Sequence, residues 1–222
     1  FILRWSKYLK HFVQAQSINN DLSNDMYWGV LLFESKLRVF DSYCLYLEKN
    51  RDDDKKFYEP RRKQFLSFGL VQSIQDLLDD KVNLLTISMP PGSGKSTAGI
   101  FLLSGVMGWW PEMPNLASAH SGILTRSFYD GVGQILTDPY EYAWREIFPD
   151  VDFNPRTGMN SKEQTINVGK PNRFKSLTCR AIGASLTGAT RCEKILYADD
   201  LCSGIEEAMS KERLDKLWQT YN

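Results

Sequence analysis

The segment from Met89 to Thr97, MPPGSGKST, constrains the fold of this chain more than any other feature. It follows an apolar run with β-branched residues at 84–89, which predicts a buried parallel strand, and it precedes a helix-compatible stretch at 96–110. Glycines between a strand and a helix allow backbone N–H groups to point into one concavity at the positive end of the helix. The sequence therefore predicts an anion-binding turn within an α/β fold.

This turn resembles a Walker A loop, a phosphate-binding turn of many NTPases. In that interpretation the Lys95 ammonium contacts the β- and γ-phosphates and the Ser96 hydroxyl is a ligand of Mg²⁺. Met89 stands where the strict pattern has its first glycine, whereas the second half, GSGKST, is intact. An ordinary strand-to-helix turn with a capping serine is the alternative. The predicted cofactor-binding residues of the turn are Pro91, Gly92, Ser93, Gly94, Lys95, Ser96 and Thr97.

The rest of the pattern predicts a central, mostly parallel sheet flanked by helices, because apolar strand candidates alternate with helical segments. The first strand, the helix after the turn and the second strand form one predicted βαβ crossover. The third and fourth strands are joined by a hairpin signal, GKPN at 169–172. Strands are predicted at 84–89, 116–120, 163–168, 174–182 and 194–198, and helices at 65–78, 96–110, 121–137, 140–148 and 205–221.

The N-terminal part of the chain has a different character. Residues 1–50 carry apolar positions at helical spacing and predict a small helical appendage. The charge run NRDDDKK at 50–56 predicts a solvated turn or a linker between the appendage and the main body. The predicted division is a helical appendage at 1–50 and a nucleotide-binding domain at 51–222.

A second chemical signal stands at the end of the last predicted strand, where Asp199 and Asp200 follow an apolar run. A phosphate-binding turn needs a partner carboxylate that holds Mg²⁺, and the end of a neighbouring strand is the fitting place. Asp199 is predicted as that metal ligand, and Asp200 as the group that orients or deprotonates the attacking water. A solvated acidic turn after a strand is the alternative.

Composition limits the classes of protein that remain. The 27 Lys and Arg residues balance 27 Asp and Glu residues, so a nucleic-acid surface would have to be a local patch. Scattered cysteines argue against a disulfide scaffold and favour a reducing cytoplasm. The longest apolar stretch is too short for a membrane span, which predicts no membrane partner. Both histidines, His11 and His120, are interpreted as structural or surface residues.

These motifs together resemble the ATPase domain of tailed-phage terminase large subunits, which package viral DNA. The resemblance rests on the PPxxGKS form of the turn, GASLTG at 183–188, the Asp199-Asp200 strand end, EAMS at 207–210 and Trp218, in that order. It covers residues 58 to 222 approximately. It implies a P-loop NTPase core of the additional-strand type, with ATP and Mg²⁺ as cofactors and double-stranded DNA as a partner. It further implies a homo-oligomeric ring on the prohead portal, a small terminase subunit and the cytoplasm of a bacterial host.

The resemblance also implies roles for residues outside the turn. Many members carry an arginine inside the loop, where this chain has Gly92 and Ser93, so a charge-stabilising arginine is expected elsewhere. Arg191 is the catalytic candidate beside Asp200, with Arg180 as an alternative, and both also suit surface or DNA-backbone contacts. The segment at 58–64 corresponds to the adenine-contacting region, with Gln64 and Arg61 as candidates, or with a solvated basic helix start as the alternative.

The expected function is therefore an ATPase motor domain that couples Mg-ATP hydrolysis to translocation of double-stranded DNA into a prohead. The coupling strand and the nuclease domain of such a motor would follow Asn222, so the chain is predicted to be an excerpt of a longer protein. The alternatives are a helicase-like P-loop ATPase and a nucleotide-binding interaction module that does not hydrolyse ATP.

Overall fold

The computed structural model describes residues 21–182, 191–201, 210–212, 214, 215 and 219. The chain forms two compact units. The first holds the described residues up to Lys95 together with Asp138–Pro149, and the second holds Ser96–Thr137 together with the described residues from Asp150 onward. The boundary predicted at residue 50 falls inside the first unit, and the division into an appendage and a domain stays a prediction.

Helices and strands are numbered here in chain order over the described residues. The helices are α1 (Asp21–Lys36), α2 (Phe40–Leu47), α3 (Tyr58–Ser67), α4 (Leu70–Leu78), α5 (Lys95–Trp109), α6 (Gly122–Thr137), α7 (Trp144–Ile147) and α8 (Pro155–Gly158). The strands are β1 (Asn115–Ala119), β2 (Met159–Asn160), β3 (Thr165–Ile166), β4 (Leu177–Ala181) and β5 (Leu196–Ala198).

The first unit is helical. Helices α1 to α4 pack on one another because each buries an apolar face, and α7 packs against α1. In α4 the buried residues recur at helical spacing, as expected for an amphipathic helix. The largest buried apolar side chains of this unit include Leu31, Phe40, Tyr43, Leu47, Phe65, Ile74 and Leu78.

The single amphipathic helix predicted at 65–78 is wrong, because the structure has two helices there. Helix α3 begins earlier, at Tyr58, and ends at Ser67, and α4 starts again at Leu70. The break lies at Gly69, which has a left-handed backbone with φ of 71°. Glycine adopts that conformation without the steric cost that a side chain would add, so it ends one helix and lets the next start. The helix predicted at 140–148 is also shorter, since only α7 is helical.

The second unit contains a five-stranded sheet in the order β2-β3-β4-β1-β5. Strands β4, β1 and β5 are parallel, and β3 pairs antiparallel with both β4 and β2. Helix α6 packs against β1, β3 and β4. The predicted strands at 116–120 and 194–198 and the helices at 96–110 and 121–137 are confirmed, with small shifts of their ends. The predicted hairpin is formed by β3 and β4, but both strands are shorter than the predicted ranges 163–168 and 174–182. The protein is therefore a mixed α/β protein with a mostly parallel sheet.

The strand predicted at 84–89 is wrong. These residues belong to the first unit and form no strand, and no backbone hydrogen bond joins them to any other described residue. Their side chains alternate between exposed and half-buried, and Leu84 is 82% exposed. Residues 85–90 line a cavity of about 510 Å³ together with Phe68, Leu70 and Ser73. The predicted βαβ crossover that begins with this strand is consequently not formed.

The physical reason is that an apolar run becomes a strand only when its backbone groups pair with a neighbouring strand. In the sheet of the described residues, the strand order is β2-β3-β4-β1-β5, and residues 84–89 pair with none of these strands. None of the helices described by the structure combines the length and apolar character that crossing a bilayer requires.

Candidate functional site

The glycine-rich turn has the backbone that its sequence predicts. Gly92 and Gly94 have φ values of 76° and 93°, and the Ser93 N–H donates to the Pro90 carbonyl at 3.2 Å. Helix α5 begins directly afterwards, at Lys95. The Ser93 hydroxyl oxygen is buried and has no hydrogen-bond partner among the described residues. A buried, unsatisfied oxygen in a positive-φ turn before a helix of this length suits a polar ligand.

Gly94 is required for a second reason, which is the close approach of an aromatic ring. A Cβ at this position would lie 2.6 Å from Cζ of Phe57 and 3.5 Å from Cδ of Arg61. The Arg61 guanidinium lies over the same ring, 4.8 Å from its centroid, and Nη1 donates to the Phe57 carbonyl at 3.2 Å. Phe57 and Arg61 therefore form the immediate surroundings of the turn within the first unit.

A buried carboxylate holds Phe57 in place. Glu48, which follows α2, accepts hydrogen bonds from the backbone N–H groups of Phe57 at 2.9 Å and of Tyr58 at 2.7 Å. These amides belong to the start of α3, where helical N–H groups have no partner in their own helix. Arg51 neutralises Glu48 through an ion pair at 2.9 Å. This arrangement fixes the beginning of α3, and with it the ring that contacts Gly94.

In the second unit, Asp199 lies against the first turn of α5. The Ser96 hydroxyl donates to Oδ2 of Asp199 at 2.6 Å, and the Tyr197 hydroxyl lies 3.4 Å from the same oxygen. Burial raises the pKa of Tyr197, and the neighbouring Asp199 carboxylate raises this pKa further. The Asp199 N–H donates to the Ser118 carbonyl of β1 at 3.0 Å, so the sheet sets the position of this residue.

The contact between Ser96 and Asp199 depends on a small residue one turn further along the helix. A Cβ at Gly99 would collide with the ring of Tyr197. Gly99 therefore lets the start of α5 approach the end of β5 as closely as the hydrogen bond between Ser96 and Asp199 requires.

Asp200 has a strained backbone that His120 supports. Its φ is 44°, in the left-handed region that non-glycine residues seldom adopt. The Asp200 carbonyl accepts a hydrogen bond from the His120 backbone N–H at 3.1 Å and lies 2.7 Å from His120 Nδ1. Because a carbonyl can only accept, Nδ1 is the protonated nitrogen. Strained residues of this kind cluster at functional sites.

His120 is the residue that the sequence interpretation missed as part of this region. Its signal was available, since His120 is the last residue of the predicted strand at 116–120. Strands β1 and β5 are parallel, so their carboxyl ends lie at one edge of the sheet, where ligands of open α/β sheets bind. The residues after both strands therefore meet there.

The other predicted site residues lie as follows. Pro91 and Gln64 are exposed, and Thr97 is half-buried in the first turn of α5. Arg191 is paired with Glu193 at 2.6 Å, and Arg180 with Glu163 at 2.6 Å. The acidic partners of both arginines are thus glutamates other than the predicted site residues Asp199 and Asp200. The segments at 183–188 and 207–209, and Trp218, lie outside the described residues.

The side chains of Ser96 and Asp199 provide the kind of ligand atoms that a magnesium ion prefers. Ser96 and Asp199 bring a hydroxyl and a carboxylate oxygen together, and Mg²⁺ prefers oxygen ligands. Among the described residues no group of three or more His, Cys, Asp or Glu side chains could hold a metal. Mg²⁺ at NTPase sites is bound by one or two protein ligands, with phosphates and water completing the shell. A two-oxygen set is therefore sufficient for that kind of site.

Comparisons with protein-family models, with curated proteins and with solved structures find no match for this chain.

Proposed function

We propose that this chain binds Mg-ATP at the glycine-rich turn and hydrolyses it as a P-loop NTPase of the additional-strand type. The observation that carries the proposal is the hydrogen bond of 2.6 Å between Ser96 and Asp199, which are 103 residues apart in the chain. Sequence reasoning assigns both residues to one magnesium ion, Ser96 from the motif of the turn and Asp199 as the partner carboxylate that such a turn needs. Two oxygens chosen for the same ion therefore lie side by side in the second unit.

Each part of the site has a role in this proposal. The amides of the turn and the Lys95 ammonium bind the phosphates, as expected for N–H groups and a cation before a helix. Ser96 and Asp199 hold Mg²⁺, which supplies charge neutralisation at the phosphate oxygens when bound. Asp200 orients the attacking water and accepts its proton, and His120 keeps the backbone of Asp200 in its left-handed conformation.

At the level of the whole protein, we propose the ATPase motor domain of a viral DNA-packaging terminase large subunit. This motor would act as a ring at the prohead portal, with a small terminase subunit as partner, in the cytoplasm of a bacterial host. Support comes from the order of sequence motifs and from the mixed α/β architecture. Contact with double-stranded DNA would involve phosphate charges and should weaken steeply as salt rises.

The test combines nucleotide binding with turnover. We expect the wild-type chain to bind Mg-ATP and Lys95→Ala to lose this binding, since the charge that meets the phosphates is removed. Asp200→Asn should keep the binding and lose hydrolysis in the full-length protein. Matched controls are Lys162→Ala and Asp150→Asn, which alter exposed residues of the same types.

Two results would contradict the proposal. If the wild-type chain does not bind Mg-ATP in calorimetry, or if Lys95→Ala binds it as the wild type does, the turn is not a nucleotide site. If Asp200→Asn hydrolyses ATP at the wild-type rate, the role given to Asp200 is wrong. Retained binding without hydrolysis in the full-length wild type would indicate a nucleotide-binding module.

A further inference from the structure

We propose that Arg61 binds the polyphosphate of the nucleotide, and that Phe57 is the platform that holds it there. This inference rests on the proposed function, because it names a further binding residue of the same site. It differs from the role that the sequence suggests for Arg61, which is contact with adenine.

The position of Arg61 is the first argument. Its aliphatic stem lies beside Gly94, since Cδ is 3.5 Å from the place of a Cβ on that residue. Gly94 is the last residue of the turn before α5. Arg61 thus lies against the part of the turn whose amides would meet phosphate, at the positive end of a helix.

The charge of Arg61 is the second argument. The two basic residues that follow Arg61 have different surroundings. Arg62 makes a bidentate ion pair with Asp41 at 2.8 and 2.9 Å, and Lys63 is exposed. Within the described part of the chain, no carboxylate pairs with Arg61, and its only polar contact is the Phe57 carbonyl at 3.2 Å. A half-buried guanidinium whose charge no acid neutralises is suited to bind an anion.

The rigidity of Arg61 is the third argument. The guanidinium lies 4.8 Å from the Phe57 ring centroid, a cation–π arrangement that orients the side chain. Phe57 packs on Phe65, 6.0 Å between centroids, and its N–H is bound by the buried carboxylate of Glu48. A cation held by packing before the ligand arrives loses little side-chain entropy on binding.

The other arginine candidates make the need for such a residue clear. Within the turn, residues 89–97, Lys95 is the only charged residue. Arg180 and Arg191 each have an acidic partner at 2.6 Å. Arg61 therefore supplies a second positive charge beside the turn, in addition to that of Lys95.

The experiment compares two probes, Mg-ATP and inorganic tripolyphosphate, which contains no base. Affinities of the whole chain are measured by calorimetry for the wild type, Arg61→Ala, Arg61→Lys, Gln64→Ala and Lys63→Ala. We expect Arg61→Ala to lower the affinity for both probes by roughly tenfold or more, because this is the loss typical of a hydrogen bond to a charged group. Arg61→Lys should recover part of this loss for both, because it restores the charge without the planar fork.

The controls separate the two roles. Lys63→Ala removes an adjacent exposed cation and should change both affinities by less than about twofold, as expected of a screened surface charge. Gln64→Ala should affect Mg-ATP alone if Gln64 meets the base. Far-UV circular dichroism of each variant checks that α3 is intact.

The inference is overturned if Arg61→Ala lowers the affinity for Mg-ATP but leaves the affinity for tripolyphosphate unchanged, because Arg61 then contacts the adenine base and not the phosphates. It is also overturned if Arg61→Ala changes neither affinity while Lys95→Ala abolishes both, and in that case the proposed function stands. A wild-type chain that binds neither probe overturns the proposed function, and the inference with it.

Discussion

Two apolar runs lead into the two chemical motifs of this chain, and only one of them is a strand. Residues 194–198 contain β5, whose backbone pairs with β1, and Ile195 is 7% exposed. Residues 84–89 have a similar composition, yet they form no backbone pair with any described residue, and Leu84 is 82% exposed. Similar local sequences therefore have different structures because only one has a partner strand.

The difference shows that the two motifs are positioned by different forces. The acidic strand end is held by the sheet, since Asp199 donates to Ser118 of β1. The glycine-rich turn is instead bordered by side chains, namely Phe57 and Arg61, which depend on the Glu48 carboxylate at the start of α3. Four measurements test this contrast.

Amide hydrogen exchange should show the contrast most strongly. The N–H of Leu116, which donates to Ile195, and that of Asp199 should be protected up to the free energy of unfolding, about 5–15 kcal/mol in typical domains. The amides at 84–89 should exchange at rates close to those of an unstructured peptide. Equal protection of both regions would mean that residues 84–89 have a backbone partner.

Removal of Glu48 should have the largest effect among single substitutions. Its side chain is 2% exposed, so Glu48→Ala leaves the first amides of α3 without their acceptor and removes one of the two carboxylates that pair with Arg51. We expect a loss of about 3–5 kcal/mol in the free energy of unfolding, measured with urea. Glu59→Ala is the matched control, because Glu59 is an exposed partner of Lys56 and should cost at most about 0.5 kcal/mol. Similar values for both would remove Glu48 as an anchor.

A pair of truncations compares the two apolar runs directly. Ile195→Ala should lower the free energy of unfolding by about 2–4 kcal/mol, since it removes buried methyl groups beside β5. Leu84→Ala should change it by less than about 0.5 kcal/mol, because the side chain is exposed. Urea unfolding of both variants gives the comparison, and a costly Leu84→Ala would show that the run at 84–89 is packed.

The smallest effect is expected at His120. His120→Ala removes the Nδ1 hydrogen bond to the Asp200 carbonyl but keeps the backbone one, and should cost about 0.5–1.5 kcal/mol. His120→Asn retains a side-chain N–H and should recover most of this stability. If His120→Ala and His120→Asn have the same free energy of unfolding in urea, the His120 ring does not support the strained backbone of Asp200.

The candidate site was predicted from sequence only where the chemistry is local. Gly92 and Gly94 predict positive φ values in the turn. Ser96 after GK and Asp199 after an apolar run predict two oxygen ligands for one metal ion. The position of Arg61 beside Gly94 was not predicted, because residues 33 positions apart in the chain leave no periodic signal. Gly69 was also not recognised as a helix break. His120 could have been predicted as part of the site if the carboxyl ends of β1 and β5 had been assigned to one edge of the sheet.

By itself, the sequence determined the turn with its two positive-φ glycines, the helix after it, the segments that form β1 and β5 and the acid that follows β5. These features follow from residue types acting within a few positions of one another. Only the tertiary structure decided that Ser96 meets Asp199. It also decided that, among the residues that the structure describes, residues 84–89 have no backbone partner and Arg61, unlike Arg62, has no acidic partner. Sheet pairing and ion pairing join residues that are distant in the chain, and an isolated segment carries no record of which partner it will meet.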